Sequence, residues 1–419
     1  MTSSGPPDLK RLRRGQKAVP RALGALLVAA ALLAGCGKSG HGAGSGGPAK
    51  RLPAVAEQGA VSVATRNTTR LGGSGAAADA AAVASAVYPG LTPATRPRTI
   101  VVVDEHDWGA ALAASVLAGA SAGAPILFAD GDGLPDLTSQ ALTALRPSGL
   151  PTLGGTQVIR IGTHARLPAG LVPRDVPAGD PATAAAEIAR LSAAAGGTRP
   201  RAVIVLAAQA PRALQMPAAG LAAESGAPIL YVTATGVPTP TAKLLAELGH
   251  PAIFTLTDAS IGASTLAALG RLGKVTAIEG ATPATDPVAG AIAVARFSDG
   301  TFGWGVKEPG HGLVFASAAR PLDAPAAAPL SASADYGPLL LVPGPRAMPA
   351  PLVTYLADIQ PAYTSAPQFQ PVRGVYNHGW LIGDETSISA VMQAEIDTLL
   401  EISPRGTQSP AEAAVAQSE

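Results

Sequence analysis

The sequence predicts an α/β protein of three tandem repeat subdomains, each a mostly parallel sheet with flanking helices. Three observations carry this. A fixed order of segments recurs: an opening glycine, an Ala-rich helix, an apolar strand, a second helix and a second apolar strand. The opening glycines, Gly73, Gly179 and Gly280, lie about a hundred residues apart, and near-constant spacing of a fixed order marks duplicated units. The second strand is introduced alike each time, by Gly123-Ala124-Pro125-Ile126-Leu127, Gly226-Ala227-Pro228-Ile229-Leu230 and Gly337-Pro338-Leu339-Leu340. Finally, short apolar runs alternate with helical patterns, as in parallel sheets covered on both faces.

The elements follow in order. In repeat 1 (residues 61–163) the pattern predicts a helix over 75–88, stopped by Pro89-Gly90. A β-branched strand follows over 99–104, then a helix over 108–122 and a strand over 124–129. Leu134-Pro135-Asp136 opens a short helix to 145, with proline where helix starts favour it, and a strand covers 157–162. Repeat 2 (164–263) has helices over 181–194, 212–225 and 241–248, with strands over 201–207, 227–233 and 252–257. The helix over 181–194 shows an apolar stripe through Ala185, Ile188 and Leu191. Repeat 3 (264–402) is less regular. An aromatic insertion over 297–304 precedes its strand at 313–317, a short helix covers 349–359, and a last helix covers 387–402. Residues 403–419 read as a disordered tail.

Composition narrows the function classes. The chain has 419 residues, 47% hydrophobic and 14% charged, enough to build cores and against wholesale disorder. A net charge of +1 argues against electrostatic capture of nucleic acid. Aromatics at 4% are too few for base-stacking platforms. The single cysteine, Cys36, excludes a disulfide framework or a cysteine metal site within one chain.

The start of the chain reads as a secretory signal. Lys10, Arg11, Arg13, Arg14, Lys17 and Arg21 form a basic segment, and residues 23–33 are apolar but too short to span a bilayer. Leu33-Ala34-Gly35-Cys36 resembles the bacterial lipobox. That resemblance implies lipidation of Cys36, which becomes the mature N-terminus on the outer face of the cell membrane. Residues 37–60 begin Gly/Ser-rich, as a flexible tether would.

Together the segments resemble the cell-wall-binding repeat 2 family. Arg70-Leu71-Gly72-Gly73 matches its opening, and Ala111-Leu112-Ala113-Ala114 with Leu117 its second helix. The Gly-Ala-Pro strands match in two repeats, followed by Leu134-Pro135 and Val237-Pro238. The resemblance implies three repeats around a pseudo-threefold axis and non-covalent binding of envelope polysaccharide. No cofactor and no metal are expected. Departures occur at Ala76 and Ala77, where the family has Arg-Tyr, and at Ala110, where it often has Asp. Val176 and Ala277 stand where repeats 2 and 3 would carry the opening arginine.

Two polar-aromatic clusters are candidate ligand sites. Asp104-Glu105-His106-Asp107-Trp108 follows a predicted strand, at the edge where open α/β sheets bind ligands. Its carboxylates and His106 suit a divalent ion or sugar hydroxyls, and Trp108 suits a sugar ring; a solvated loop with a packing Trp is the plainer reading. Asn377, His378, Trp380 and Asp384 form the second cluster, either a sugar site or a clamp on the last segment. Arg70 is the candidate cation for an anionic polymer, and a groove between the first and third repeats would gather both clusters.

Gly73-Ser74-Gly75-Ala76-Ala77-Ala78 fits a dinucleotide fingerprint, but the nearest apolar run upstream ends too early and the pattern does not recur. No nucleophile elbow, zincin motif or phosphate loop is present, and His164, His250 and His311 are isolated. The expectation is a non-enzymatic, lipid-anchored binding protein. An envelope-polymer hydrolase using Asp104, Glu105 or Asp384, and a scaffold for protein partners, are the alternatives.

Overall fold

The computed structural model describes residues 61–177, 179–279, 285–332, 337–363, 371–373 and 376–404. All belong to one compact unit, Val55–Glu419. Cys36, the tether and residues 405–419 lie outside the described residues.

The first segment holds β1 (Val61–Ala64), β2 (Thr68–Gly72), α1 (Ala76–Val87), β3 (Ile100–Asp104), α2 (Trp108–Ala113), β4 (Ile126–Ala129), α3 (Asp136–Leu145) and β5 (Val158–Ile161). The second holds β6 (Pro173–Val176), α4 (Pro181–Gly196), β7 (Ala202–Ala207), α5 (Arg212–Gln215), α6 (Ala218–Ser225), β8 (Ile229–Val232), α7 (Thr239–Leu248), β9 (Ala252–Thr255) and α8 (Ala263–Gly270). The third holds β10 (Lys274–Ala277), α9 (Pro287–Arg296), β11 (Gly312–Ser317), α10 (Asp323–Ser331), β12 (Leu339–Val342), α11 (Ala350–Asp358), β13 (Ala362–Tyr363), β14 (Pro371–Arg373), β15 (His378–Ile382), α12 (Ala390–Leu400) and β16 (Ser403–Pro404).

The strands form three separate sheets and a small ribbon, β14-β13-β16. The first sheet runs β4-β3-β5-β6, the second β8-β7-β9-β10 and the third β12-β11-β15-β2-β1. All pairings in the three sheets are parallel except β1 with β2. The same order recurs each time, and the strand after the third is always borrowed. β6 opens the second segment but pairs with β5, and β10 opens the third but pairs with β9. β2, near the start of the described chain, pairs with β15 near its end.

The helices obey the same rule. α1, α4 and α9 each contact the second strand of their own segment, β4, β8 and β12. Each also contacts a second helix of the preceding segment: α4 meets α2, α9 meets α5, and α1 meets α10. A 3-10 turn at Ala114–Ala118, α6 and α10 are in mutual contact at the centre. Their residues are almost all buried, and alanine is the commonest of them. Small side chains set a short interaxial distance. A Cβ on Gly119 would lie 2.1 Å from the Ala223 carbonyl oxygen, and one on Gly220 would lie 2.7 Å from Ser331 Oγ. The alanine excess thus builds the helical centre.

Caps fix where the first helices begin. Asp180 accepts from the Ala182 and Thr183 amides, and Asp286 from those of Val288 and Ala289. Each is followed by proline at the first helical position.

Two elements differ from the single helices expected. Residues 108–122 form a short α-helix that tightens to a 3-10 turn ending at Gly119. Residues 212–225 break at Met216-Pro217, where proline supplies no amide to continue α5.

Candidate functional site

The carboxyl ends of the parallel strands carry most of the polar groups the sequence singled out. At the first sheet, Asp104 ends β3 and its Oδ1 accepts from the His106 amide at 3.1 Å and the Gly131 amide at 3.2 Å. This ties the loop after β3 to the loop after β4. His106 Nε2 lies 2.9 Å from Asp130 Oδ1, with both side chains about two-thirds exposed (67% and 68%). Asp130, then Asp104, hold the imidazole pKa above its ordinary value. Glu105, His106 and Asp130 can each present a ligand atom within 4.8 Å of the others. One imidazole and two carboxylates would suit a divalent cation, and all three stand at the surface.

The next two residues turn inward. Asp107 caps α2 by accepting from the Ala110 amide at 2.9 Å. Trp108 is only 7% exposed, and its Nε1 donates to Gln215 Oε1 at 3.3 Å. Gln215 in turn donates to the Ala210 carbonyl at 2.7 Å, and the Tyr231 hydroxyl donates to the Gly109 carbonyl at 3.0 Å. Burial pushes the Tyr231 phenol far above its usual range, so it stays a neutral donor. Trp108 therefore sits where the first and second segments meet. The Arg212 guanidinium lies 6.0 Å from its ring centroid. Beside them is a cleft of about 310 Å³, lined by residues that include Asp107, Trp108, Pro181, Arg212, Gln215 and Tyr231.

The second cluster divides by burial. Asn377 is 2% exposed; its Oδ1 accepts from the Gly310 and His311 amides, and its Nδ2 donates to the Ile359 carbonyl at 2.8 Å. All its bonds go to backbone, which makes it a loop clamp. His378 and Trp380, two apart on β15, share one sheet face in an edge contact of 5.1 Å between ring centroids. Both are half-buried, and His378 Nε2 lies 3.1 Å from Thr69 Oγ1. Burial lowers the His378 pKa, so the ring favours its neutral form. Asp384 is partly exposed; burial raises its pKa, but its bonds from Thr386 outweigh that and leave it below the usual range.

Arg70 does not face solvent. It is 4% exposed, and its three guanidinium nitrogens donate to Gln393 Oε1 (3.1 Å), the Gly383 carbonyl (3.0 Å) and the Ile388 carbonyl (2.6 Å). It joins β2 to the chain's last segment and is spent on that junction. The described contacts of Trp108 lead to the second segment, while Trp380 sits on the third sheet beside His378.

One constellation was not singled out from sequence. Asp79 on α1 and Asp323 on α10 are 0% and 1% exposed. Asp79 accepts from the Gly73 amide at 2.8 Å and forms an ion pair with Arg320. Arg320 Nε lies 3.2 Å from Asp323 Oδ2, and its NH1 donates to Ser387 Oγ at 2.6 Å. Burial raises the Asp79 pKa to about 6 despite Arg320, and raises that of Asp323 well above its ordinary value. Two carboxyls facing one guanidinium favour a shared proton. The available signal was Asp79 itself, the one charged residue in an alanine-rich helix.

Asp79 also bears on the glycine-rich turn. β2 runs to Gly72, so the chain does pass directly from strand to turn to helix, unlike the spacing argument from sequence. The Gly73 amide, which a phosphate would need, is instead held by the Asp79 carboxylate. A Cβ on Gly72 would fall 2.1 Å from Asp79 Oδ1, so this glycine makes room for the protein's own acid.

No family model matches the chain, and no curated protein matches it. Solved structures share the fold. Cwp6 from Clostridium difficile superposes with a TM-score of 0.61 at 18% identity, covering 80% of this chain and 47% of that one. Cwp8 from Clostridium difficile gives 0.59 at 16% identity, covering 80% of this chain and 52% of that one. The chain thus spans about half the length of the structures it resembles.

Proposed function

We propose that the protein is a cell-wall-associated binding module that holds envelope polysaccharide non-covalently outside the cell membrane. The observation that carries this reading is the recurring sheet order, each sheet extended by a strand from the start of another segment, in a fold shared with Cwp6 and Cwp8. The cell-wall-binding repeat 2 resemblance of the sequence supplies the ligand class. We read the recurrence as a pseudo-threefold arrangement, with β2 on β15 closing the ring.

Attachment to the membrane would come from the lipobox-like Leu33-Ala34-Gly35-Cys36. Among the described residues no helix is long and apolar enough to cross a membrane. A single acyl chain binds only marginally, so lasting retention calls for more than one. Cys36→Ala should therefore release the protein from the membrane fraction.

The role we assign is binding without catalysis. The three carboxyl edges carry different residues: Asp107, Ala210 and Arg320 occupy like positions after β3, β7 and β11. No acid or nucleophile is common to them. The test is incubation with purified envelope polymers. Retention of polymer without product release supports binding. Release that Asp384→Asn abolishes would replace this reading with hydrolysis.

A further inference from the structure

We propose that the cleft between the first and second segments is a subsite for one acidic sugar unit, with Arg212 as its anion-binding group. This rests on the polysaccharide-binding reading and gives it a location and a charge requirement.

The Arg212 guanidinium makes no hydrogen bond or ion pair among the described residues; its contact is the Trp108 ring. The ring holds the guanidinium by cation–π attraction without using up its N–H donors. Its fork is therefore free for a carboxylate or phosphate, the planar recognition that arginine performs best. The comparable cation at the third sheet's edge, Arg320, is committed to Asp79, Ser387 and Asp323. Arg70, which the sequence suggested for this task, is committed to carbonyl oxygens. The cation for an anionic polymer thus moves from Arg70 to Arg212.

The rest of the cleft suits a sugar. Asp107 uses Oδ1 to cap α2, and no described residue bonds its Oδ2, which is left to accept from a hydroxyl. Trp108 and Pro181 provide apolar wall for the C–H face of a ring. Gln215 and Tyr231 are buried and held by bonds to Trp108, Ala210 and Gly109, so they fix the shape of the cleft. The volume, about 310 Å³, sits at the small end of ligand sites, about 300–1,000 Å³. One sugar unit with its acidic group is the fitting occupant, and a polymer would pass through with its neighbouring units in solvent.

The test measures affinity of the full-length protein for three probes: an oligouronate, a sugar-phosphate oligomer and a neutral glucan oligomer. Variants are Arg212→Ala, Arg212→Lys and, as a charge-matched control, Arg66→Ala, whose side chain is 74% exposed and pairs with Glu401. Arg212 is exposed, so its replacement should leave the melting curve unchanged. The proposal expects an acidic probe to bind and the neutral one not to. Arg212→Ala should weaken binding about tenfold or more, Arg212→Lys should fall between, and Arg66→Ala should match the parent protein. The probe that binds tells carboxylate from phosphate. Equal loss in Arg66→Ala and Arg212→Ala, or no loss in Arg212→Ala, overturns the subsite and leaves the polysaccharide reading standing. Failure of the parent protein to bind any probe or any isolated wall overturns both.

Discussion

The Asp79 carboxylate pairs with the Arg320 guanidinium where α1, the first helix, meets α10, the last of the three central ones. At the corresponding place on α4 and α9 the chain has Ala184 and Gly290. The junction of the first and third segments thus carries a buried charge at a position where the other two have an uncharged residue. A buried ion pair is weak evidence for stability but breaks badly when one partner is removed. Such a pair also gives a register that alanine faces alone do not impose.

Together with Asp323, whose pKa burial also raises, Asp79 should make stability depend on pH. Its folded pKa is about 6, above the unfolded value of 3.8, so the folded state binds more protons between them. Stability is then greatest at the acid end of this window and falls as pH rises through about 6. Unfolding in urea should give about 1 kcal/mol more stability at pH 5 than at pH 7.5, and Asp79→Asn should flatten that difference. Equal pH profiles for the two proteins would show that Asp79 is not the titrating group.

Arg70→Ala should destabilise the fold by about 2–4 kcal/mol, because two buried carbonyls and the Gln393 side chain lose their donor. Arg70→Lys should recover little, since one ammonium cannot reproduce the three-nitrogen fork. Thermal melts of both variants check this. If Arg70→Ala melts with the parent protein, the junction of β2 with the last segment is not held as described.

Gly119→Ala should cost about 1–3 kcal/mol by overpacking against the Ala223 carbonyl. Gly270 is its contrast: nothing lies within 4 Å of a Cβ there, at the end of α8. Gly270→Ala should be neutral or stabilising by up to about 1 kcal/mol. Denaturant midpoints of the pair separate close helix approach from a general effect of glycine replacement.

Trp108→Phe should keep the apolar packing and lose the bond to Gln215, costing about 1 kcal/mol. Trp108→Ala should cost about 3–5 kcal/mol, as a large buried ring is lost. Binding tests on Trp108 therefore call for the Phe variant, with folding verified by circular dichroism.

Much of the fold was legible in the chain. β3, β4, β7, β8 and β11 are continuous apolar runs, and α1, α4 and α7 have clear starts or stops. The strands that stitch the segments together were not legible. β6 is Pro-Arg-Asp-Val and β10 is Lys-Val-Thr-Ala, at sheet edges where one side meets solvent. Neither has the apolar run that announces a central strand. β15 carries His378, Gly379 and Trp380, and read as a ligand cluster before it read as a strand. At the site, the sequence located the carboxyl-end loop of Asp104 to Trp108 but could not tell which side chains turn inward. Arg70 looks like a surface ligand in one dimension and is a satisfied buried group in three, whereas Trp108 and Asn377 take the packing and clamping roles the sequence offered beside the ligand reading. Arg212 passed unnoticed because its meaning comes from Trp108, far away in sequence.

The measurement that bears most directly on the polysaccharide reading is co-sedimentation of residues 37–419 with intact and with acid-stripped cell walls. Repetition along an immobile polymer should make retention stronger than any one contact. The protein should pellet with intact walls, remain in solution with stripped ones, and lose retention in Arg212→Ala. Equal pelleting with both wall preparations, or none with either, would contradict polysaccharide binding.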